Sequence, residues 1–153
     1  MFSRVRRDVL DLNPDVVTIL VGVNDSWCEE EGKSYIGTEK YKAVYNMMLD
    51  EIQAALPQVQ FILYEPFLTK GEPERKGFEH FLASVREKAA VVKEIAEQRG
   101  IPLITMQEEI DRMVENAPYC YWLHDGIHPN LPLRQYMADR WIETFRTMQS
   151  AEK

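Results

Sequence analysis

The sequence predicts an α/β fold in which a parallel β-sheet lies between two layers of helices. Three runs with strand character, at residues 16–22, 60–64 and 101–105, alternate with amphipathic stretches that follow the helical period. The first run is rich in β-branched residues and does not alternate with polar ones, which is typical of a strand covered on both faces. This alternation of strands and helices implies right-handed crossovers and a parallel sheet.

The N-terminal part is predicted to contain a helix, a strand and a loop. Residues 3–12 resemble the end of an amphipathic helix, and the Asn-Pro-Asp sequence at residues 13–15 ends it. The apolar face of this helix consists of Val5, Val9 and Leu12. The strand Val16–Gly22 follows, and the glycines within residues 26–37 predict a loop.

The middle of the chain predicts a helix and a second strand. Thr38 is a suitable N-cap for a helix that runs to about Leu56, where Pro57 ends it. The apolar run Gln60–Tyr64 then predicts a strand. The stretch after it is rich in glycine, proline and charged residues, so we expect a loop as far as about Gly77.

The C-terminal half predicts three helices and a third strand. A long helix covers about residues 78–99, with Gly100 as its C-terminal cap, and the strand at residues 101–105 follows. A short helix is expected at residues 107–116 and the last helix at residues 133–149. The side chains expected to face inward on the last helix are Tyr136, Met137, Trp141, Phe145 and Met148.

Length, charge and cysteine content limit the class of protein. The 153 residues predict a single domain over residues 1–153, and the net charge of −7 argues against nucleic acid or an anionic membrane as a partner. No apolar run approaches the ~20 residues of a membrane span, and we expect no signal peptide. Cys28 and Cys120 lack metal-binding spacing, so we expect two reduced thiols in a cytoplasmic protein.

A short segment near the C-terminus predicts a catalytic histidine. Asp125 precedes His128 by three positions, with Gly126 between them and Pro129 directly after. An imidazole transfers protons near neutral pH, and a general base must be held in one tautomer by an acceptor at its other nitrogen. Asp125 can be that acceptor, because a turn that contains glycine folds its first residue back on the fourth.

A second polar segment, Asn24 and Asp25, follows the first strand directly. Ligands of parallel sheets bind outside the carboxyl ends of the strands. The side-chain amide of Asn24 can there donate a hydrogen bond to the oxyanion of an acyl-transfer intermediate. Together with His128, it indicates hydrolysis of an ester or amide by nucleophilic catalysis.

Each of these motifs also has a purely structural interpretation. The Asp125–His128 segment is equally typical of an ordinary turn, and Asp25 can simply cap the segment that follows it. A metal site formed by His124 and His128 is disfavoured, because no third ligand is evident in the sequence. A flavodoxin-like nucleotide-binding protein is also disfavoured, since no glycine-rich phosphate loop follows any predicted strand.

Considered together, the two segments resemble a known family. Residues 16–25 (Val-Val-Thr-Ile-Leu-Val-Gly-Val-Asn-Asp) and 125–130 (Asp-Gly-Ile-His-Pro-Asn) resemble the third and fifth conserved blocks of the SGNH, or GDSL-type, esterase and lipase family. Residues 63–67 and the Met-Ala pair at residues 137–138 are also similar to its bacterial members. The resemblance covers essentially the whole chain.

The resemblance implies a fold, an activity and site residues. The fold is a three-layer α/β/α, flavodoxin-like sandwich of five parallel strands, and the activity is hydrolysis of carboxylic esters without metal or cofactor. Asn24 would be an oxyanion donor, His128 the general base, and Asp125 the carboxylate that orients it. We expect four residues in or beside the two motifs to contact a small-molecule ester: Gly22, Asp25, Trp27 and Trp122. The alternative for the two tryptophans is that they only pack against the rest of the protein.

The chain departs from the family at its N-terminal end. The family's Gly-Asp-Ser block, which carries the serine nucleophile, is absent, and only three of the five strands can be assigned. Ser26 and Cys28 lie near Asn24 and are weak substitutes, because neither follows the sharp turn that exposes a nucleophile. We therefore expect either an N-terminally truncated esterase or a non-catalytic α/β module that retains the scaffold.

The missing strands predict self-association. In the family's strand order the absent first strand lies beside Val16–Gly22, so this strand would keep an unpaired edge. A two-fold dimer in which two such strands pair in antiparallel orientation would cover that edge.

Overall fold

The three strands form one parallel sheet. The computed structural model describes the backbone of residues 2–30, 37–71 and 77–151, and the side chains of these residues except 27–30 and 151. The strands are β1 (Val16–Ile19), β2 (Gln60–Tyr64) and β3 (Leu103–Ile104), and β2 lies in the centre. The register pairs Val17 with Phe61 and Leu63 with Leu103. The predicted parallel sheet is confirmed.

Seven α-helices surround this sheet within the described residues. They are α1 (Val5–Asp8), α2 (Val23–Glu30), α3 (Thr38–Ala55), α4 (Phe78–Arg99), α5 (Gln107–Asn116), α6 (Tyr119–Trp122) and α7 (Leu131–Ala151). Short 3₁₀ turns at Phe2–Arg4 and Leu10–Leu12 flank α1. None of the helices in the described ranges combines the length and the apolar character that crossing a membrane requires.

The core divides into two layers because side chains along β2 alternate between the two faces of the sheet. Phe61 and Leu63 pack with α1, α3 and α4 on one face, whereas Ile62 and Tyr64 pack with α5 and α7 on the other. The half-buried side chains of α7 that join the second layer are the five predicted ones, Tyr136, Met137, Trp141, Phe145 and Met148. The three-layer α/β/α arrangement is therefore confirmed.

The structure corrects the prediction for the segment after β1. Residues 26–30, which were expected to be loop, belong to α2, and residues 31–36 lie outside the described part. Polar side chains such as Asn24 and Asp25 disfavour the interior of a helix but are favourable in its first turn, where an acidic group also complements the helix dipole. Packing of α2 against α4 stabilises this helix further.

Other differences concern the ends of elements. β1 ends at Ile19 and not at Gly22, because the chain leaves the ladder where the carbonyl of Val21 accepts the Tyr41 hydroxyl at 3.0 Å. Gly37 occupies the N-cap position of α3 in place of Thr38. The predicted N-terminal helix is broken into short turns, so Leu12 is 72% exposed and does not share the buried face of Val5.

The predicted end of α4 is confirmed: Gly100 is its C-cap, with a left-handed backbone conformation (φ 64°). The third strand is shorter than residues 101–105, since only Leu103–Ile104 pair with β2. The last helix begins two residues earlier than predicted, at Leu131.

Candidate active site

The loop between α6 and α7 holds the His128 ring through Asp125. Oδ1 of Asp125 accepts the backbone N–H groups of Ile127 (3.0 Å) and His128 (2.9 Å). Oδ2 of the same carboxylate lies 2.8 Å from Nδ1 of the His128 imidazole. Gly126 makes this tight turn possible because its φ of +88° lies in the region that favours glycine. The contact that the sequence predicted between Asp125 and His128 is present.

A second set of hydrogen bonds closes the base of this loop. The backbone N–H of His124 donates to the carbonyl of His128 at 2.8 Å, and that of Asn130 donates to the carbonyl of Trp122 at 2.8 Å. The side-chain amide of Asn130 donates to the carbonyl of Cys120 at 2.7 Å. These bonds join both ends of the loop, so Asp125 and His128 are fixed relative to α6 and the start of α7.

The carboxyl group of Asp125 ionises readily in this environment. Partial burial raises its pKa, but the hydrogen bonds from the backbone and ring of His128, and from the backbone of Ile127, outweigh that effect and lower the pKa to about 2. Asp125 is therefore a carboxylate at neutral pH. Its proximity keeps the proton of a neutral His128 imidazole on Nδ1 and leaves Nε2 as the nitrogen that can accept a proton.

Asn24 lies in the first turn of α2, directly after the turn that ends β1. Gly22 adopts φ +132° at this turn, and a Cβ there would contact the Tyr41 hydroxyl and Pro66. The conformation favours glycine and a Cβ would be crowded by these neighbours, so Gly22 lets the chain turn from strand to helix at this point. The turn places the exposed side chain of Asn24 at the carboxyl end of β1, where ligands of parallel sheets bind.

One groove brings the two predicted segments together. It has a volume of about 650 Å³, and its lining includes Gly22, Asn24 and Asp25 from one segment and His128 from the other. The groove continues along Val17–Val21 at the outer edge of β1 and reaches α1. Asn24 and His128 therefore line the same groove, although they are far apart in the sequence.

The structure separates Trp122 from this arrangement. Trp122 donates its indole N–H to the carbonyl of Met113 at 3.0 Å and packs in the core layer beneath α7. It does not line the groove that contains His128, as far as the described residues show. The side chain of Trp27 lies outside the described part of the chain.

Of the two substitute nucleophiles, the structure describes only the Ser26 side chain, and it is buried. The Ser26 side chain is 1% exposed, and its hydroxyl donates to the carbonyl of Gly22 at 3.3 Å. The side chain of Cys28 lies outside the described residues. Among the described residues, no three His, Cys, Asp or Glu side chains are grouped in a way that could hold a metal ion.

The sequence analysis missed the backbone that supports the histidine loop. Thr69 donates its backbone N–H to the carbonyl of Gly126 at 2.9 Å. A Cβ on Gly71 would collide with the carbonyl of Asp125, and a Cβ on Gly126 would collide with the carbonyl of Thr69. The two segments are therefore in direct backbone contact, for which the two glycines were the only signal in the sequence.

The sequence matches a known protein family. The sequence profile of the GDSL-like lipase/acylhydrolase family matches residues 1–132.

The chain belongs to this family.

The chain is also similar to a curated protein and to solved structures. An acetylxylan esterase from Geobacillus stearothermophilus is 23% identical in an alignment of 147 residues that covers 92% of this chain and 63% of that protein. A structure from Parabacteroides merdae described as a GDSL-like lipase has a TM-score of 0.83 and 31% identity, over 93% of this chain and 65% of that one. An α/β hydrolase from the metagenome of Lake Arreo gives a TM-score of 0.73 and 26% identity, over 94% and 65%.

The chain therefore spans a little under two thirds of the length of these relatives. Structures of the acetylxylan esterase include three described as catalytic mutants, which replace a serine, an aspartate and a histidine. In that esterase the substituted aspartate precedes the substituted histidine by three positions.

Proposed function

We propose that this chain forms part of a carboxylic ester hydrolase. His128 acts as the general base, Asp125 orients its ring, and Asn24 donates a hydrogen bond to the oxyanion. The observation that carries this proposal is the groove shared by Asn24 and by an imidazole whose Nδ1 lies 2.8 Å from a carboxylate. The aspartate–histidine spacing of the catalytic mutants of the acetylxylan esterase supports the same assignment.

The proposed chemistry follows from the position of each group. A hydroxyl nucleophile that attacks the ester carbonyl gives its proton to Nε2 of His128, and Asp125 stabilises the imidazolium that forms. The carbonyl oxygen becomes negatively charged, and the Asn24 amide can stabilise that charge. The imidazolium then returns the proton to the departing alcohol, and the acyl group remains on the nucleophile oxygen. A water molecule, deprotonated by the same imidazole, then releases the acyl group as a carboxylic acid, and the imidazolium returns the proton to the nucleophile oxygen.

The nucleophile is the part that these residues do not provide. We propose that it belongs to a Gly-Asp-Ser block encoded upstream of Met1, as the family resemblance implies. Sequencing the DNA upstream of Met1 for an in-frame block of this kind tests the assignment. A stop codon in frame directly upstream would contradict it.

We propose a short-chain or carbohydrate-linked ester as the substrate. The acetylxylan esterase supports an acetyl group on a sugar as the first compound to test. Gly22 and Asp25 line the groove beside Asn24, so we propose that they contact the substrate. Trp27 and Trp122 were predicted to do the same; that role stays a prediction for Trp27, and the groove gives Trp122 no support.

Hydrolysis of an activated acetyl ester such as nitrophenyl acetate tests the role of His128 directly. An imidazole can attack such an ester itself or take a proton from a water molecule that attacks it. A chain that lacks the serine can therefore still show a rate that depends on His128. We expect His128→Ala to lower the protein-dependent rate strongly. The matched control is the substitution His124→Ala, which removes an exposed histidine of the same loop and should lower the rate much less. Equal rates for the original chain and His128→Ala would contradict the proposal.

We propose self-association as a second function, because β1 has β2 as its only neighbour in the described sheet. The outer edge of β1 lines the groove, and Leu20 at its end is 39% exposed. An unpaired edge is a template for pairing with another chain, and two copies related by a two-fold axis can pair antiparallel. Such a dimer would cover part of the groove and compete with substrate.

Light scattering after size-exclusion chromatography tests this second proposal. Leu20→Lys introduces a charge at the edge and should convert a dimer to a monomer. Met47→Lys is the matched control, since Met47 is a 52% exposed side chain on α3. A monomer at all concentrations would contradict the dimer, as would an equal response to the two substitutions.

A further inference from the structure

We propose that Gln107 is a positioning residue for the Asp125–His128 loop, and that it acts through the backbone of the segment 68–71. Gln107 is buried at the start of α5, and its side-chain amide forms hydrogen bonds with both the backbone N–H and the carbonyl of Leu68. Its Oε1 accepts the backbone N–H of Leu68 at 3.1 Å, and its Nε2 donates to the backbone carbonyl of Leu68 at 2.9 Å. The two bonds together fix the orientation of one peptide unit on each side of Leu68.

The residues after Leu68 transmit this constraint to the histidine loop. Thr69 donates its backbone N–H to the carbonyl of Gly126 at 2.9 Å. Gly71 lies so close to the carbonyl of Asp125 that no Cβ fits between them. The segment 68–71 is thus held between Gln107 on one side and the loop that carries Asp125 on the other.

The amide of Gln107 is itself fixed by neighbouring groups. Its Nε2 also donates to Oδ1 of Asp111 at 2.9 Å, so both amide hydrogens are used. The carboxylate of Glu65 accepts the backbone N–H groups of Met106 (2.6 Å) and Gln107 (2.9 Å), which anchors the first turn of α5 to the end of β2. A side chain fixed in this way can hold Leu68 in one position.

Loss of the Gln107 amide would leave polar groups without partners in the core. The side chain of Leu68 is 0% exposed, so water has little access to its peptide groups. An unsatisfied buried N–H or carbonyl is costly, and a backbone shift that restores its hydrogen bond reduces that cost. Because Thr69 and Gly71 follow directly, such a shift would move the support of Gly126 and change the hydrogen bonds around Asp125.

The inference rests on the proposed function only for what His128 does in the reaction. Gln107 touches no reacting atom, and its effect is on the geometry of the Asp125 carboxylate. The experiment therefore measures that geometry by NMR spectroscopy, through the His128 Nδ1–H proton resonance and the titration of the Asp125 carboxyl carbon. Neither signal requires hydrolysis, so a failure of the proposed function would leave both signals unaffected.

The test compares Gln107→Met and Gln107→Glu with Ile110→Ala, each in the full 153-residue chain. Gln107→Met keeps the volume but removes the hydrogen bonds, and we expect the pKa of Asp125 to rise from about 2 toward 3.8 as the His128 Nδ1–H resonance weakens. Gln107→Glu keeps an acceptor for the Leu68 N–H but places an oxygen against the Leu68 carbonyl and Oδ1 of Asp111, so it should change both signals in the same direction. Ile110 is buried in the next turn of α5, so Ile110→Ala should lower the melting temperature but leave both signals unchanged.

Two results would overturn the inference. One is an unchanged Asp125 titration and His128 resonance in folded Gln107→Met or Gln107→Glu. The other is a change of the same size in Ile110→Ala, since the loop would then respond to general destabilisation of α5 and not to the amide. If Gln107→Met fails to fold, Gln107→Glu decides between the outcomes by the same two signals.

Discussion

Asp125 binds His128 through both oxygens of its carboxylate, Oδ2 to the ring nitrogen Nδ1 at 2.8 Å and Oδ1 to the backbone N–H at 2.9 Å. The group that orients the imidazole is therefore also the group that shapes the loop carrying it. Ring orientation and loop conformation depend on one side chain. Substitutions at Asp125 should consequently change both, and conservative ones should separate the two effects.

The substitution Asp125→Asn should reverse the tautomer of His128. An asparagine retains an oxygen that can accept the backbone N–H groups, but it offers an N–H₂ group to Nδ1, so the ring proton moves to Nε2. A histidine protonated at Nε2 cannot act as the base, and the comparable change in a serine protease reduces the rate by about 10⁴. Nitrogen NMR of the imidazole should show the change of tautomer, whereas an unchanged spectrum would show that Asp125 does not determine it.

Asp125 should also make stability depend on pH in the acid range. Its pKa is lowered from 3.8 to about 2 in the folded chain, so its stabilising contribution is complete above 3.8 and is lost as the pH falls through about 2. Urea unfolding at a series of pH values, for the original chain and Asp125→Asn, measures this contribution as a difference. The difference should shrink as the pH falls below 3.8. A difference that grows on acidification would contradict the assignment.

The substitution Gly71→Ala should disturb the histidine loop from outside it. The added methyl group would collide with the carbonyl of Asp125, so one backbone must move, at a cost of about 1–3 kcal/mol. Gly100→Ala is the control, because Gly100 has φ +64° but nothing within 4 Å of a Cβ. It should cost about 1–2 kcal/mol through backbone strain alone.

Chemical denaturation and the His128 ring resonances distinguish these two glycine variants. Both should be destabilised, and only Gly71→Ala should shift the His128 signals. A shift of equal size in Gly100→Ala would show that the loop responds to any loss of stability.

The central strand should dominate the stability of the described fold. Leu63 on β2 is 0% exposed and packs with α3 and α4, so Leu63→Ala should reduce the free energy of unfolding by about 2–5 kcal/mol. Met47→Ala replaces a 52% exposed side chain and should change it by no more than about 0.5 kcal/mol. Denaturant titration measures both values, and similar losses for the two variants would contradict the assignment of the core.

The pattern of hydrophobic residues predicted the layers of the fold, because its periodicity shows which face of each helix or strand is buried. The strand Gln60–Tyr64 and the helix Phe78–Arg99 were placed correctly for this reason. The segment at residues 26–30 was misassigned, since polar residues and nearby glycines are typical of a loop. Its helix depends on tertiary packing against α4, which has no local signal in the sequence.

The candidate site was predictable where its residues are close in sequence. Asp125, Gly126 and His128 form a local turn, so their spacing alone indicated the contact that the structure shows. Gln107 carried no such signal, because it is one polar residue at the start of an amphipathic helix. Its role depends on hydrogen bonds to Leu68, which is distant in the sequence and close only after folding.

The central claim is that Asn24 and His128 act on one carbonyl group, and a double-mutant cycle on the hydrolysis of an activated acetyl ester tests it most directly. We expect Asn24→Ala to lower the rate that depends on His128 by about 10²–10³, which is typical of losing one oxyanion donor. The same substitution made in the His128→Ala background should then have little further effect, because residues that act as a unit are not additive. An unchanged rate in Asn24→Ala beside a clear loss in His128→Ala would contradict the claim.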